Sequence, residues 1–155
     1  MLTLRRRSSR DEITAFSSGD RPVLLATLDV PFSEEATAFA VDSAVEGGKP
    51  LVVVNAAEVL PTAYALLGYG YVEREELQEA LLRPAKLAQS LYVRVERLRV
   101  CSPLPVDALL EVAAERDPAI LVFGPDRSCM PGRRYRRAER AVRDGAACLV
   151  WFPSL

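Results

Sequence analysis

The chain has 155 residues, half of them apolar, about a quarter charged, and a net charge of −1 at pH 7. This length suits one globular domain with a real core, and the composition excludes a disordered chain. Since a general nucleic-acid binder carries a basic excess, the balanced charge argues against that class. No apolar run approaches the roughly 18–20 residues that cross a bilayer. The arginines near the N-terminus precede no apolar segment, so we expect no secretory signal and no membrane partner, and a cytoplasmic location.

Histidine is absent from the chain. Its absence excludes Ser-His-Asp and Cys-His catalysis and removes the commonest metal ligand. The three cysteines, Cys101, Cys129 and Cys148, show no CxxC spacing, so neither a zinc site nor a thioredoxin-type couple is predicted. We expect no metal ion, with Cys101 and Cys148 in the core and Cys129 in an exposed loop.

The first half of the chain alternates strand and helix patterns. Residues 1–20 are polar and basic, which predicts a flexible arm in which a short helix could form; residues 21–155 form the single domain. Residues 23–30 are a continuous apolar run between two prolines, as in a buried parallel strand. Ser33 is a helix cap, and Gly47 and Gly48 end that helix. Residues 51–56 predict a second buried strand.

The second half continues the alternation. Residues 57–73 connect the strand to a helix over 73–91, which Pro84 is expected to kink or divide. The tyrosines of the connection, Tyr64, Tyr69 and Tyr71, either pack on the sheet or form a lid over a purine. Strands over 93–100, 120–123 and 148–152 alternate with a helix over 107–116 and an arginine-rich helix before the last strand. Repeated strand–helix alternation predicts a parallel sheet with helices on both faces.

Ligands of such sheets bind outside the carboxyl ends of the strands, near the point where the strand order reverses. The turns after Asp29, Asn55 and Gly124 are therefore the candidate rim of a site.

The order and spacing of these segments resemble the universal stress protein family over residues 22–153. VLLATLDVPFSEEATAFAVDSA resembles the opening strand, acid and helix of the family, LVVVNA its second strand, DPAILVFG its fourth, and CLVWF its last. The resemblance implies an α/β, Rossmann-like three-layer sandwich. Its open five-stranded parallel sheet would have the order 3-2-1-4-5, with helices on both faces.

In nucleotide-binding members, the acid after the first strand lies beside ribose and adenine, and a valine of the second strand seats the base. Asp29 and Val54 match these positions. Phosphates are held by G-x-x-G, about nine residues, then G-[S/T]. Gly124 matches the first glycine, but Arg127 replaces the second, and Arg136-Arg137 stand where G-[S/T] belongs. Because glycine lets a backbone approach phosphate closely, we expect a degenerate site.

The arginines of the last loop and helix have two interpretations. Their planar guanidinium groups could hold a small anion together with Gly124 and Gly132 in place of the lost glycine. Helical spacing favours a solvated face instead, with Tyr135, Ala138 and Val142 buried beneath it. The residues concerned are Arg127, Arg133, Arg134, Arg136, Arg137, Arg140 and Arg143.

Three functions remain open at this point. The first is a non-catalytic homodimeric module that binds either no nucleotide or an adenine-type ligand weakly; the resemblance implies pairing through the C-terminal strand, whose apolar edge needs covering. The second is a small nucleotide-hydrolysing enzyme on the same scaffold, which the missing Walker and PP-loop patterns disfavour. The third is a regulatory module that binds an acidic partner through its arginine helix.

Overall fold

A computed structural model describes residues 4–7, 21–59 and 74–154, with side chains for the latter two ranges. Five parallel strands form an open sheet, and helices cover both of its faces. Numbered in chain order among themselves, these five strands lie in the order 3-2-1-4-5, so the predicted topology is confirmed. Each parallel connection passes through a helix where the chain is described.

The strands are β1 (Leu4–Arg7), β2 (Val23–Thr27), β3 (Leu51–Glu58), β4 (Val95–Ser102), β5 (Ile120–Phe123) and β6 (Val150–Trp151). Their spatial order is β1-β4-β3-β2-β5-β6. All five residues of β2 are buried, as expected for the central strand of a sheet covered on both faces. The last strand is shorter than predicted, because only Val150 and Trp151 pair with β5.

The helices are α1 (Glu34–Gly47), α2 (Glu75–Ser90), α3 (Pro105–Arg116) and α4 (Gly132–Gly145), with a short 3₁₀ turn over Arg127–Cys129. The Ser33 hydroxyl accepts the Ala36 N–H at 3.1 Å, so the predicted cap of α1 is confirmed. Gly48 follows that helix with φ +60°, a conformation that glycine adopts at little cost.

The helix α2 runs through Pro84 without a break between its bounds. It is thus a single helix, so the predicted division at Pro84 is wrong, while the alternative of a kink stays a prediction. Proline in a helix interior removes one hydrogen bond and crowds the preceding turn. The buried residues on both sides of Pro84 pack both halves of this helix against the sheet; they are Leu77, Leu81, Ala85 and Ala88.

Four residues of the predicted flexible arm form β1, which pairs antiparallel with β4. The register places Leu4 opposite Cys101 and Arg7 opposite Leu98. These four residues therefore differ from the expectation of a flexible arm or a short helix. The rest of the arm and the tyrosines Tyr64, Tyr69 and Tyr71 lie outside the described residues, and the division of the chain at residue 20 stays a prediction.

Two apolar cores lie on the two faces of the sheet. One contains α1 and α2 with residues such as Leu25, Val53 and Val122. The other contains α3 and α4 with residues such as Leu24, Val54 and Phe123. Alternate residues of each strand point to opposite cores, which follows from the two-residue period of a strand. The helices α1 and α4 therefore lie on opposite faces of the sheet, and each packs beside its edge strand, β6.

Candidate functional site

The candidate rim lies at the carboxyl ends of β2, β3 and β5, where a doubly wound sheet binds its ligands. Asp29 follows β2 and has φ +60°, in the left-handed region that side chains other than Asn and Asp seldom occupy. Its N–H donates to the Asn55 Oδ1 at 2.7 Å, and the Asn55 amide reaches the Asp29 Oδ1 at 3.4 Å. Asn55 thus fixes the orientation of Asp29 from the neighbouring strand.

The two loops that frame the rim are hydrogen-bonded to one another. The Ser33 N–H donates to the Gly124 carbonyl at 2.9 Å, and the Asp126 N–H donates to the Pro31 carbonyl at 2.9 Å. Phe32 and Pro125 form an antiparallel bridge between these bonds. The loop after β2 therefore lies directly against the loop after β5.

Apolar side chains anchor both of these loops. Val30, Phe32 and Met130 are each at most 9 % exposed and belong to the cores. The Thr27 hydroxyl donates to the Val30 carbonyl at 2.7 Å inside the first loop. Apolar packing thus reinforces the hydrogen bonds that hold these two loops against each other.

Four backbone N–H groups of the turn after β5, including that of Asp126, are engaged within the chain. The Gly124 N–H donates to the Ala26 carbonyl at 2.8 Å, and the Cys129 N–H to the Asp126 carbonyl at 3.0 Å. The Asp126 carboxylate also accepts the Ser128 N–H at 3.0 Å and the Ser128 hydroxyl at 2.7 Å. A phosphate cradle needs free N–H groups that point at the ligand. A phosphate would have to compete with these bonds.

Gly124 is a packing glycine. A Cβ at this position would lie 2.9 Å from the Cβ of Ala36 and 2.9 Å from the Cδ1 of Leu25. Its φ is not positive, so close approach of α1 to the sheet, rather than backbone conformation, requires a residue without a side chain. Gly132 is different, because it is exposed and a Cβ there would meet only the Arg136 guanidinium, at 3.3 Å.

Arg127 covers a buried tyrosine. Its guanidinium carbon lies 4.4 Å from the centroid of the Tyr135 ring, a cation–π contact. Tyr135 is 1 % exposed and packs against Phe123, and its hydroxyl has no hydrogen-bond partner among the described residues. Burial, and secondarily the Glu139 carboxylate, raise the pKa of Tyr135, whereas Arg127 opposes that shift.

The other predicted arginines lie on α4. Tyr135, Ala138 and Val142 are its buried residues, as predicted. The arginines at 133, 134, 136, 137, 140 and 143 are all exposed. Arg136 and Arg137 lie in the second turn of α4, which begins at Gly132, and not at its N-terminus. Their backbone N–H groups thus belong to the interior of the helix rather than to its first turn, where such groups are free to bind an anion.

The predicted site residues are thus only partly brought together. Asp29 and Gly124 follow neighbouring strands, and Arg127 lies in the turn just beyond Gly124. Val54 is fully buried in the core under α3 and α4. Gly132, Arg133 and Arg137 lie on the exposed side of α4. Their roles as ligand contacts stay predictions.

Asn55 is the rim residue that sequence reasoning did not select as a site residue. It is 6 % exposed, although it ends the apolar run LVVVN. A single amide at the end of a buried strand is itself a signal, because a buried polar side chain requires a hydrogen-bond partner. That partner is Asp29, 26 residues away in the chain.

The cysteines match their predicted environments in part. Cys101 is buried, Cys129 is exposed and Cys148 is intermediate. Burial raises the pKa of the Cys148 thiol. Within residues 21–59 and 74–154, no group of three or more acidic or thiol side chains could hold a metal ion. None of the described helices is both long and apolar enough to cross a membrane.

A family model for the universal stress protein family matches residues 21–135. The chain belongs to the universal stress protein family. The match ends inside α4, so most of the arginine helix and β6 lie beyond it. A comparison with curated protein sequences gives no match.

Solved structures of universal stress proteins share the fold. One from Archaeoglobus fulgidus is 18 % identical with a TM-score of 0.60, covering 85 % of this chain and 92 % of its own. A structure of the Archaeoglobus fulgidus protein in complex with dAMP is 21 % identical with a TM-score of 0.59, covering 85 % and 96 %. A universal stress protein in complex with cAMP is 24 % identical with a TM-score of 0.55, covering 88 % and 98 %. At identities this low, the similarity shows only that these proteins and this chain share a fold.

Proposed function

We propose that this universal stress domain is a non-catalytic homodimeric module that does not bind ATP in the usual way of the family. One observation carries the proposal: the N–H groups of Gly124, Asp126, Ser128 and Cys129 are all bonded within the chain. Arg127 in place of the second glycine adds bulk at the same turn. Adenine nucleotides in two related structures, dAMP and cAMP, make a weakly bound adenine-type ligand the most plausible occupant of the rim.

Titration calorimetry with ATP and magnesium tests the proposal. We expect a dissociation constant above about 100 µM, which corresponds to a binding free energy weaker than about −5.5 kcal/mol. Purified protein carrying about one ATP per chain, or a dissociation constant near 1 µM, would contradict the degenerate site. Phosphate release from ATP should not exceed the buffer rate, and turnover that Asp29→Asn abolishes would favour an enzyme.

Asp29→Asn is the appropriate variant for the rim, because asparagine tolerates a positive φ whereas alanine does not. If adenosine monophosphate binds weakly at the rim, this variant should weaken it further, since Asp29 is the predicted ribose acceptor. Asp117→Asn is the matched control, because Asp117 also has a positive φ and is exposed but precedes β5, at the opposite end of the strands, so it should leave that affinity unchanged.

The homodimer part of the proposal rests on the edge strand. The Leu149 carbonyl accepts the Leu121 N–H, so in the alternation of a strand the N–H and carbonyl of Val150 point away from β5. Leu149 is 69 % exposed, and Val150 and Trp151 are only partly buried. An apolar edge of this kind favours pairing with a second copy.

Sedimentation equilibrium tests the dimer. We expect wild type to dimerise and Leu149→Lys to weaken the dimer about tenfold, because an edge lysine opposes strand pairing. Leu91→Lys is the control, since Leu91 is also exposed, at 47 %, but follows α2 away from this edge. A monomeric wild type would contradict the proposed pairing.

A second candidate, a regulatory module for an acidic partner, is favoured by the exposed arginines of α4. Among the described residues, no acidic side chain pairs with Arg133, Arg136, Arg137 or Arg140. Binding to such a partner should weaken as salt is added, because exposed charges are screened. Loss of binding in an Arg133→Gln/Arg137→Gln variant would support this function.

A further inference from the structure

The exposed arginines of α4 form two sets that face different directions. Arg134 lies toward β3, with its Nη2 4.0 Å from the Glu58 Oε2. Gly145 lies toward α3, where an added Cβ would stand 2.6 Å from the Leu110 side chain. Arg143 lies on the other side, with its guanidinium carbon 4.8 Å from the centroid of the Phe152 ring beyond β6. The helix α4 thus has one side toward α3 and one side toward the edge of the sheet at β6.

Arg136 and Arg140 share the edge side with Arg143. The three residues follow at spacings of four and three, which places them in one row along a helix. Glu139 belongs to the same side and pairs with Arg143 at 2.8 Å. This row, the edge arginines, therefore carries a net charge of +2, and no described acid pairs with Arg136 or Arg140. Arg133 extends this row by one turn toward the N-terminus of α4 and is not counted in it, whereas Arg137 lies on the side of the helix toward α3.

The proposed homodimer brings two such rows together. Antiparallel pairing of β6 with its own copy requires a two-fold axis perpendicular to the sheet, so each face meets the same face of the partner. Since α4 covers β5 and β6, the two copies of this helix would lie about 10 Å apart, twice the strand spacing of about 4.8 Å. Helices at that distance are in packing contact.

The rows of edge arginines then face each other with a combined charge of +4. Like charges at such close range oppose association unless something neutralises them. Guanidinium groups bind phosphate oxygens in bidentate fashion, and each row is only about 10 Å long. We propose that the edge arginines of two copies form a binding site on the two-fold axis for a polyvalent phosphate anion, which stabilises the dimer. This inference rests on the proposed dimer.

Inorganic tripolyphosphate is the probe, and the readout is the dimer dissociation constant from sedimentation equilibrium. We expect about 1 mM tripolyphosphate to tighten the wild-type dimer about tenfold over sodium chloride of equal ionic strength. Matching the ionic strength is necessary because α1, on the opposite face of the sheet, carries four exposed acids, at 34, 35, 42 and 46, whose charge monovalent salt also screens. Monovalent salt screens both faces, whereas the anion acts on the arginines alone.

Two double variants locate the effect. Arg136→Gln/Arg140→Gln removes two charges from the row and should dimerise without tripolyphosphate about as tightly as wild type does with it. Arg134→Gln/Arg137→Gln removes two charges from the side of α4 that lies toward α3 and should keep the full response. All four residues are exposed, so both variants should fold.

The outcomes separate this inference from the proposed function. A wild-type dimer that ignores tripolyphosphate overturns the anion site and leaves the dimer standing. Equal responses of the two double variants overturn the site as well. A chain that stays monomeric in every condition overturns the dimer, and with it the site.

Discussion

Gly124→Ala tests whether this glycine serves packing or a ligand. The added Cβ would stand 2.9 Å from both the Ala36 Cβ and the Leu25 Cδ1, closer than real Cβ contacts come. Both neighbours are fully buried, so neither can yield into solvent. Overpacking of this kind typically costs 1–3 kcal/mol. Since φ is not positive, alanine also reduces the entropy of the unfolded chain, which returns about 0.4–1 kcal/mol.

The expected net loss in the free energy of unfolding is therefore about 1–2 kcal/mol, measured by urea denaturation without any ligand. Gly132→Ala is the matched control from the same segment. Its Cβ would meet only a flexible guanidinium, and the position lies in the first turn of α4, so this variant should be as stable as wild type or up to about 1 kcal/mol more stable.

Adding Ala36→Gly to Gly124→Ala removes one of the two close contacts. The double variant should show a favourable coupling of about 0.5 kcal/mol or more in a double-mutant cycle. If Gly124→Ala proves as stable as wild type, packing does not require this glycine, and close approach of a ligand becomes the better explanation for it.

Three further predictions concern single groups. Tyr135→Phe should raise the free energy of unfolding by about 1 kcal/mol, because no described residue pairs with the buried hydroxyl while the ring contacts remain; a clear loss of stability would contradict this. The pKa of Tyr135 is raised in the folded state, so the folded protein holds the hydroxyl proton more tightly than the unfolded chain does. The stability that this difference contributes is fully present below pH about 10 and is lost as the pH rises through the folded pKa. Wild type should therefore lose stability in alkali faster than Tyr135→Phe, and parallel pH profiles would contradict this. With a thiol reagent at pH 8, Cys129 should react well before Cys148, whose pKa is raised by burial, as peptide mapping would show. Arg116→Ala should cost about 1–3 kcal/mol in urea denaturation, because it leaves Glu96 without the two-bond contact at 2.6 and 2.7 Å; an unchanged midpoint would contradict this.

Patterns within short windows of the sequence determined the fold class. The run VLLATLDV between prolines, the cap at Ser33 and the glycines at 47 and 48 act through the residues next to them. Alternating strands and helices then leave few topologies, because parallel crossovers are right-handed. The buried residues of α4, Tyr135, Ala138 and Val142, could likewise be predicted from their helical spacing.

Contacts between distant segments decided the rest. β1 pairs with β4 through backbone hydrogen bonds, and LRRR carries no apolar alternation that would predict a strand. Pro84 stays in one helix because packing of the whole helix outweighs a local preference.

The site shows the same division. Asp29 and Gly124 could be placed at strand ends from the sequence, since chain order alone puts them there. The bond from Asp29 to Asn55, the bonds between the loops after β2 and β5, and the lack of space at Gly124 arise only when those segments meet. Sequence therefore determined which residues border the rim, and the tertiary structure decided that the N–H groups of Gly124 and Asp126 are bonded to the loop and strand beside them.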